Sequence, residues 1–227
     1  MTVEVLGDAE SAAHRAAEAV AGEARASVAA RGRFLLALSG GTTPQRMFQL
    51  LAKEDVPWSL VHLFQVDERI APLGHRDRNA THLLELVARV PLPPGQFHPM
   101  PVDESDLGAG VNRYAATLRE VAGNPAVLDL VHLGLGADGH TASLIPGEGA
   151  LDTAEADVSL TGPYSGHRRM TLTLPVLNRA RRILWLVAGA DKATALARLR
   201  QGDRAIPAGR VRTDRALVIT DVGAATT

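Results

Sequence analysis

The sequence predicts an α/β fold, a largely parallel sheet flanked by helices, on three observations. Short apolar runs bounded by turn residues alternate with stretches of helical periodicity. Parallel strands require such helical crossovers. The chain is 46% hydrophobic yet 4% aromatic, and rich in Ala, which suits helices packed on a sheet better than an aromatic-rich β-sandwich. At 227 residues one well-buried domain over 1–227 is expected, with no break in composition to demand a second.

In chain order, 3–6 is a short apolar strand and 11–30 an Ala-rich helix. The run 34–39 is a buried strand, and 44–52 a helix that Pro44 suits at its first position, with Thr43 as N-cap. Strand 61–66 and helix 79–90 follow, then helix 110–121 and strand 130–134. The segment 146–166, rich in Gly, Pro, Ser and Thr, reads as loops or a small flanking layer over one end of the sheet. Strand 183–188, helix 192–199 and strand 216–220 complete the alternation.

Ligands of open α/β sheets bind outside the carboxyl ends of the strands, so those positions are where chemistry is sought. After 34–39 come Gly40, Gly41 and Thr42, beginning at Ser39: glycines allow close backbone approach, and free amides at a helix start form an anion site suited to a phosphate ester. No Gly-Lys-Ser/Thr ending is present, which disfavours nucleotide triphosphates. After 61–66 come Asp67, Glu68 and Arg69, with Arg76, Arg78 and Asn79 in the next loop, a rim of polar recognition groups or of solvated charge.

After 130–134 the turn Gly134-Leu135-Gly136-Ala137-Asp138-Gly139-His140-Thr141 formally matches the dinucleotide fingerprint. The match fails in context, because 146 onward breaks up in turn formers where a helix and a second strand ending in an acid should follow. The fingerprint also leaves Asp138 and His140 unexplained. A His at a strand end, two residues from a carboxylate, is a candidate general base, since its ordinary pKa lies near physiological pH.

Composition excludes several classes. With 24 basic and 25 acidic residues there is no basic field for nucleic acid or anionic lipid. Zero cysteines remove disulfides and thiolate chemistry and fit a reducing compartment. The start Met1-Thr2-Val3-Glu4-Val5 is not that of a signal peptide, and no apolar run has spanning length, so a cytoplasmic protein is expected, a monomer or small homo-oligomer. His62, His75, His140, Asp67 and Asp138 lack the spacing of a His-Glu-x-x-His helix, so no metal and no cofactor are expected. Ser39 and Ser143 lie outside any Gly-x-Ser-x-Gly elbow.

Ser-Gly-Gly-Thr-Thr-Pro at 39–44, Asp-Glu-Arg at 67–69, Gly-Leu-Gly-Ala-Asp-Gly-His-Thr-Ala-Ser-Leu-Ile-Pro at 134–146, Arg-Met-Thr-Leu-Thr at 169–173 and Gly-Ala-Asp-Lys at 189–192 resemble, in order, the motif set of the 6-phosphogluconolactonase family. The resemblance implies a Rossmann-like fold of the glucosamine-6-phosphate deaminase and ribose-5-phosphate isomerase type, and hydrolysis of 6-phospho-D-glucono-1,5-lactone. It implies His140 as general base with Asp138 as its partner, Gly139 and Thr141 beside the substrate, and a phosphate cradle from the Ser39 turn, Lys192 and an arginine. Arg69, Arg78 and Arg169 all remain open for that arginine. The family often shows Val-Pro after Asp-Glu-Arg and Ser-Asn further on, whereas here Ile70-Ala71-Pro72 and Arg78-Asn79 stand. Lys192 has independent support: Lys53 and Lys192 are the two lysines in a chain that otherwise uses Arg. Related deaminases resemble Asp-Gly-His-x-Ala-Phe-Asn-Glu-Pro; the absence of that Glu here, where Ile145 precedes Pro146, favours the lactonase. A sugar-phosphate sensor joined to a DNA-binding module is disfavoured, as the chain has no room for such a module.

Overall fold

The computed structural model describes residues 1–226. Its main sheet has seven strands in the order β1-β10-β9-β6-β2-β3-β5, every pairing parallel. These are β1 (Thr2–Leu6), β2 (Phe34–Leu38), β3 (Val61–Gln65), β5 (Phe97–His98), β6 (Leu130–Leu133), β9 (Arg182–Val187) and β10 (Ala216–Asp221). A second, antiparallel sheet orders β4 (Asp67–Arg69), β8 (His167–Leu172) and β7 (Val158–Tyr164). The helices are α1 (Ala9–Arg31), α2 (Thr42–Leu51), α3 (Asn79–Val87), α4 (Leu107–Ala122), α5 (Leu174–Arg179), α6 (Ala193–Arg200) and α7 (Val222–Ala225).

The central strands read as unbroken apolar runs because both faces of the sheet are covered. Along β2, Phe34, Leu36 and Leu38 join one core with α1, α2 and α3, while Leu35 and Ala37 join the other with α4, α5 and α6. The first core packs tightly because α1 presents mainly small residues to it: Ala12, Ala13, Ala16, Ala17, Val20, Ala21 and Ala24, at helical spacing. Asp8 caps α1, its carboxylate accepting from the Ser11 amide at 2.7 Å, and Gly32 at φ 73° ends it.

All six expected strands are present, with ends moved by a residue or so. The antiparallel sheet is the main departure. Asp67-Glu68-Arg69, read as a rim loop, is strand β4, and the flanking layer expected within 146–166 contains β7, paired with a β8 that no apolar run announces. The short β5 and its two-residue pairing with β3 also lack a periodicity signal. Helix α2 begins two residues earlier than expected: Gly41, at φ 120°, is the N-cap and Thr43 lies inside the first turn. No helix follows Gly139; Thr141 and Leu144 form an isolated bridge within successive turns.

Leaving β2 the chain builds outward through β3 to β5, then crosses back to β6 on the other side of β2 and builds toward β9 and β10. The topological switch point therefore lies between β2 and β6, and the loops leaving these strands diverge around a crevice.

Candidate active site

That crevice is a cleft of about 250 Å³ at the carboxyl ends of β9, β6, β2 and β3. It is lined by residues 39–44 after β2, by Gly134, Gly136, His140 and Ala142 after β6, by Ala188 and Lys192 after β9, and by Asp67, Arg69, Asn79 and Arg169. No side chain caps α2, so the amides of its first turn are free at the cleft wall, with the Ser39 hydroxyl buried beside them and unpaired. Gly40 is required by close packing: a Cβ there would fall 2.1 Å from Oδ1 of Asn79.

His140 is held by its own turn. Its ring Nδ1 lies 2.5 Å from Oδ1 of Asp138, and the same carboxylate oxygen accepts the His140 backbone N–H at 3.1 Å. Residues two apart face each other here because Gly139, at φ 83°, bends the chain back. With Nδ1–H donated to Asp138, the neutral ring leaves Nε2 as its basic nitrogen, a tautomer fixed by the hydrogen bond. Gly136 leaves room for the pair, since a Cβ there would meet His140 Nδ1 at 2.1 Å and Asp138 Oδ1 at 2.6 Å. Partial burial pushes the Asp138 carboxyl upward, but bonds from the His140 amide and ring and from the Tyr164 hydroxyl prevail and hold it below its ordinary value.

The opposite wall is cationic. The β4–β8 ladder sets Arg69 directly across from Arg169, a like-charge pairing that is unfavourable without an anion to share. Both guanidiniums keep a buried Nε with no partner, and Arg169 is 5% exposed. Burial, with Arg69 nearby, pulls the Arg169 pKa below its ordinary value despite the upward influence of Asp67. Asp67 is the carboxylate among the lining residues: Oδ2 accepts the Ser143 hydroxyl at 2.6 Å and stands 3.9 Å from the Arg169 guanidinium, a single partial counter-charge to two arginines, and Oδ1 accepts the Asn79 amide at 3.1 Å. Lys192 completes the wall, paired with Asp191 at 2.8 Å.

The structure thus gathers Ser39, Gly40, Gly41, Thr42, Asp67, Arg69, Asn79, His140, Arg169 and Lys192 around one space. Four residues expected at the ligand lie behind it. Arg78 is 2% exposed and ion-paired with Glu68 at 3.5 Å and Asp103 at 2.5 Å, so two carboxylates meet its charge inside the protein although its Nε, too, makes no hydrogen bond. Glu68, fully buried, accepts the Asn79 and Ala80 amides at 2.7 and 2.8 Å, capping α3 in place of Arg78, which makes no side-chain cap. Thr141 donates its hydroxyl to the Gly134 carbonyl at 2.9 Å and closes the turn. Gly139 packs against Ile206, where a Cβ would fall 2.6 Å away. Tyr164 and Ser143 are members of the network that sequence reasoning missed. Tyr164 sits in the segment read as loop, and its one local signal is its place before the turn-forming pair Ser165-Gly166. Among the described residues no three His, Asp or Glu converge as a metal site.

The model of the family described as glucosamine-6-phosphate isomerases/6-phosphogluconolactonase matches residues 7–219. The chain belongs to this family. Its relatives include a 6-phosphogluconolactonase of Synechocystis sp., 38% identical over 199 residues, covering 86% of this chain and 82% of that protein. Another is a 6-phosphogluconolactonase of Mycobacterium tuberculosis, 34% identical over 208 residues, 86% and 84% of the two chains. The crystal structure of 6-phosphogluconolactonase from Thermotoga maritima superposes with a TM-score of 0.87 at 25% identity, covering 97% of this chain and 98% of that one. A monomeric glucosamine-6-phosphate deaminase shares the fold, with a TM-score of 0.82 at 20% identity. No helix among the described residues is long and apolar enough to cross a membrane.

Proposed function

We propose that this chain is a 6-phosphogluconolactonase, hydrolysing 6-phospho-D-glucono-1,5-lactone to 6-phosphogluconate in the oxidative pentose phosphate pathway. The observation that carries the reading is a His140–Asp138 pair facing, across one cleft, an opposed Arg69–Arg169 pair beside an uncapped helix start. An anion is wanted at one end and a base is available at the other. The lactone's phosphate is assigned to Arg169, Arg69, Lys192 and the turn from Ser39 to Thr42. Arg78 is left out of the cradle because its charge is already paired.

Nε2 of His140 takes a proton from water as the water oxygen attacks C1. The C1–ring oxygen bond of the tetrahedral intermediate then breaks, and the imidazolium returns the proton to the departing oxygen. Asp138 keeps the ring in the required tautomer and stabilises the imidazolium. A lactone is an activated ester, so positioning and a base suffice, and no cofactor or metal is invoked. Asp67, bonded to Ser143 and Asn79, holds the cleft wall in this scheme. The substrate is a charged phosphate ester confined by membranes, and the cleft is built from one chain, so we place a monomer or small homo-oligomer in the cytoplasm.

The test is lactone hydrolysis with chelator present, run beside glucosamine-6-phosphate. Acceleration of lactone decay alone is expected, and decay at the no-enzyme rate overturns the function. His140→Ala is expected to lower turnover at least a hundredfold while a phosphosugar still binds. Full turnover in that variant would remove His140 as the base.

A further inference from the structure

We infer that Tyr164 is a positioning residue that couples the His140–Asp138 pair to the cationic wall, an inference that rests on the lactonase reading. Tyr164 does not line the cleft, yet it touches three groups that matter there. Its hydroxyl donates to Oδ2 of Asp138 at 3.1 Å, the carboxylate oxygen that His140 does not use. Its ring meets the His140 ring edge to face, with centroids 5.3 Å apart at 66°. On the other side the Arg169 guanidinium carbon lies 5.2 Å from the Tyr164 ring centre, and Arg169 also donates to the Tyr164 carbonyl at 3.3 Å.

The backbone fixes this placement. Tyr164 ends β7 opposite His167, joined to it by the two-residue turn Ser165-Gly166 at φ 48° and 83°. Such turns, with both central residues left-handed, match the twist of the strands they join. A register shift between Thr161 and Tyr164, at Gly162-Pro163, re-aims the end of β7. The hairpin tip is pinned from outside by His167, whose Nε2 lies 3.1 Å from Oδ2 of Asp77, and Asp77 in turn offers its carbonyl to Arg69 at 2.6 Å.

Two different jobs follow from the two ends of the side chain. The hydroxyl fixes Asp138 and shares its negative charge, so removing it leaves a carboxylate that holds the imidazolium proton more strongly. The ring orients Arg169 toward the anion. The ionisable groups facing His140 are Asp138 from its own turn and Tyr164 from β7, while Asp67, Arg69, Arg169 and Lys192 share the cleft.

The experiment compares Tyr164→Phe and Tyr164→Ala with the wild type over a pH series, with thermal unfolding alongside. The Phe variant keeps the ring. Its kcat is expected to fall about tenfold with KM within twofold, and the acidic limb of kcat/KM to move to higher pH, because Asp138 favours the charged imidazole more. The Ala variant adds a rise in KM as Arg169 loses its support. In an Asp138→Asn background the Phe replacement is expected to cost little further, as coupled groups are not additive. A Phe variant with wild-type kcat and an unmoved acidic limb, or one whose loss is as large with Asp138 replaced, overturns the inference. If the wild type itself fails to hydrolyse the lactone, it is the lactonase reading that falls.

Discussion

Gly136→Ala isolates the geometry of the base from its chemistry. Gly136 has no left-handed φ, so Ala adopts its backbone without strain, and the perturbation is one methyl group. That methyl would stand 2.1 Å from Nδ1 of His140, where ordinary contact begins at 3.4 Å. The ring must therefore retreat by about 1.3 Å, or the turn must open by a similar amount; either breaks the 2.5 Å bond to Asp138. A displacement of that order at a catalytic group costs roughly a hundredfold in rate. The control is Gly149, exposed and outside the cleft lining, where a Cβ meets nothing within 4 Å. Steady-state lactone hydrolysis by both variants, with thermal unfolding to confirm the fold, is the assay. Gly136→Ala is expected to lose about two decades of kcat/KM and Gly149→Ala less than about threefold. Equal effects in the two, or wild-type activity in Gly136→Ala, would refute the argument that this glycine exists to make room for the His140–Asp138 pair.

Arg78→Ala should destabilise the protein by about 3 kcal/mol in urea unfolding, because Glu68 then keeps a buried charge without its ion pair. Its KM should stay within twofold, and a tenfold rise in KM in the folded variant would return Arg78 to the phosphate site. His132 gives a pH signature: burial lowers its pKa to about 3, below the ordinary value of 6.5, so the unfolded chain takes up the proton first as pH falls. The stability it contributes is therefore complete above pH 6.5 and is lost as pH falls toward 3, reaching about 2 kcal/mol at pH 5. His132→Leu should lose that much less stability than the wild type between pH 7.5 and 5, and parallel losses would show that His132 is not the group responsible. His98, also lowered by burial, to about 4, contributes equally in both proteins.

Much of the site was legible because strand ends in a parallel sheet are local features. The apolar runs 34–39 and 130–134 put the Ser39 turn and the Asp138–His140 turn at strand ends, and both line or support the cleft. Asp67-Glu68-Arg69 shows the limit of that logic. Its three neighbours in sequence alternate along β4, so Asp67 and Arg69 reach the cleft while Glu68 turns inward to cap α3. Nothing in a run of three charges reveals a strand, because β4 is defined by its ladder with β8, a hundred residues further along the chain, and not by a local hydrophobic pattern.

The sequence by itself determined the alternating α/β order and the glycine turns, and set a candidate base two residues from a carboxylate, since each is a feature of a few neighbouring residues; that Asp138 bonds His140 directly was decided by the bend at Gly139. Only the tertiary structure decided which arginines line the cleft and which side chain reaches Asp138 from outside its turn. Arg169 stands opposite Arg69 through β4–β8 pairing across a hundred residues of chain, Arg78 is withdrawn by Glu68 and Asp103, and Tyr164 reaches Asp138 through a hairpin. Burial and charge pairing are properties of neighbours in space, and those neighbours are set by the packing of the second sheet over the strand ends of the first.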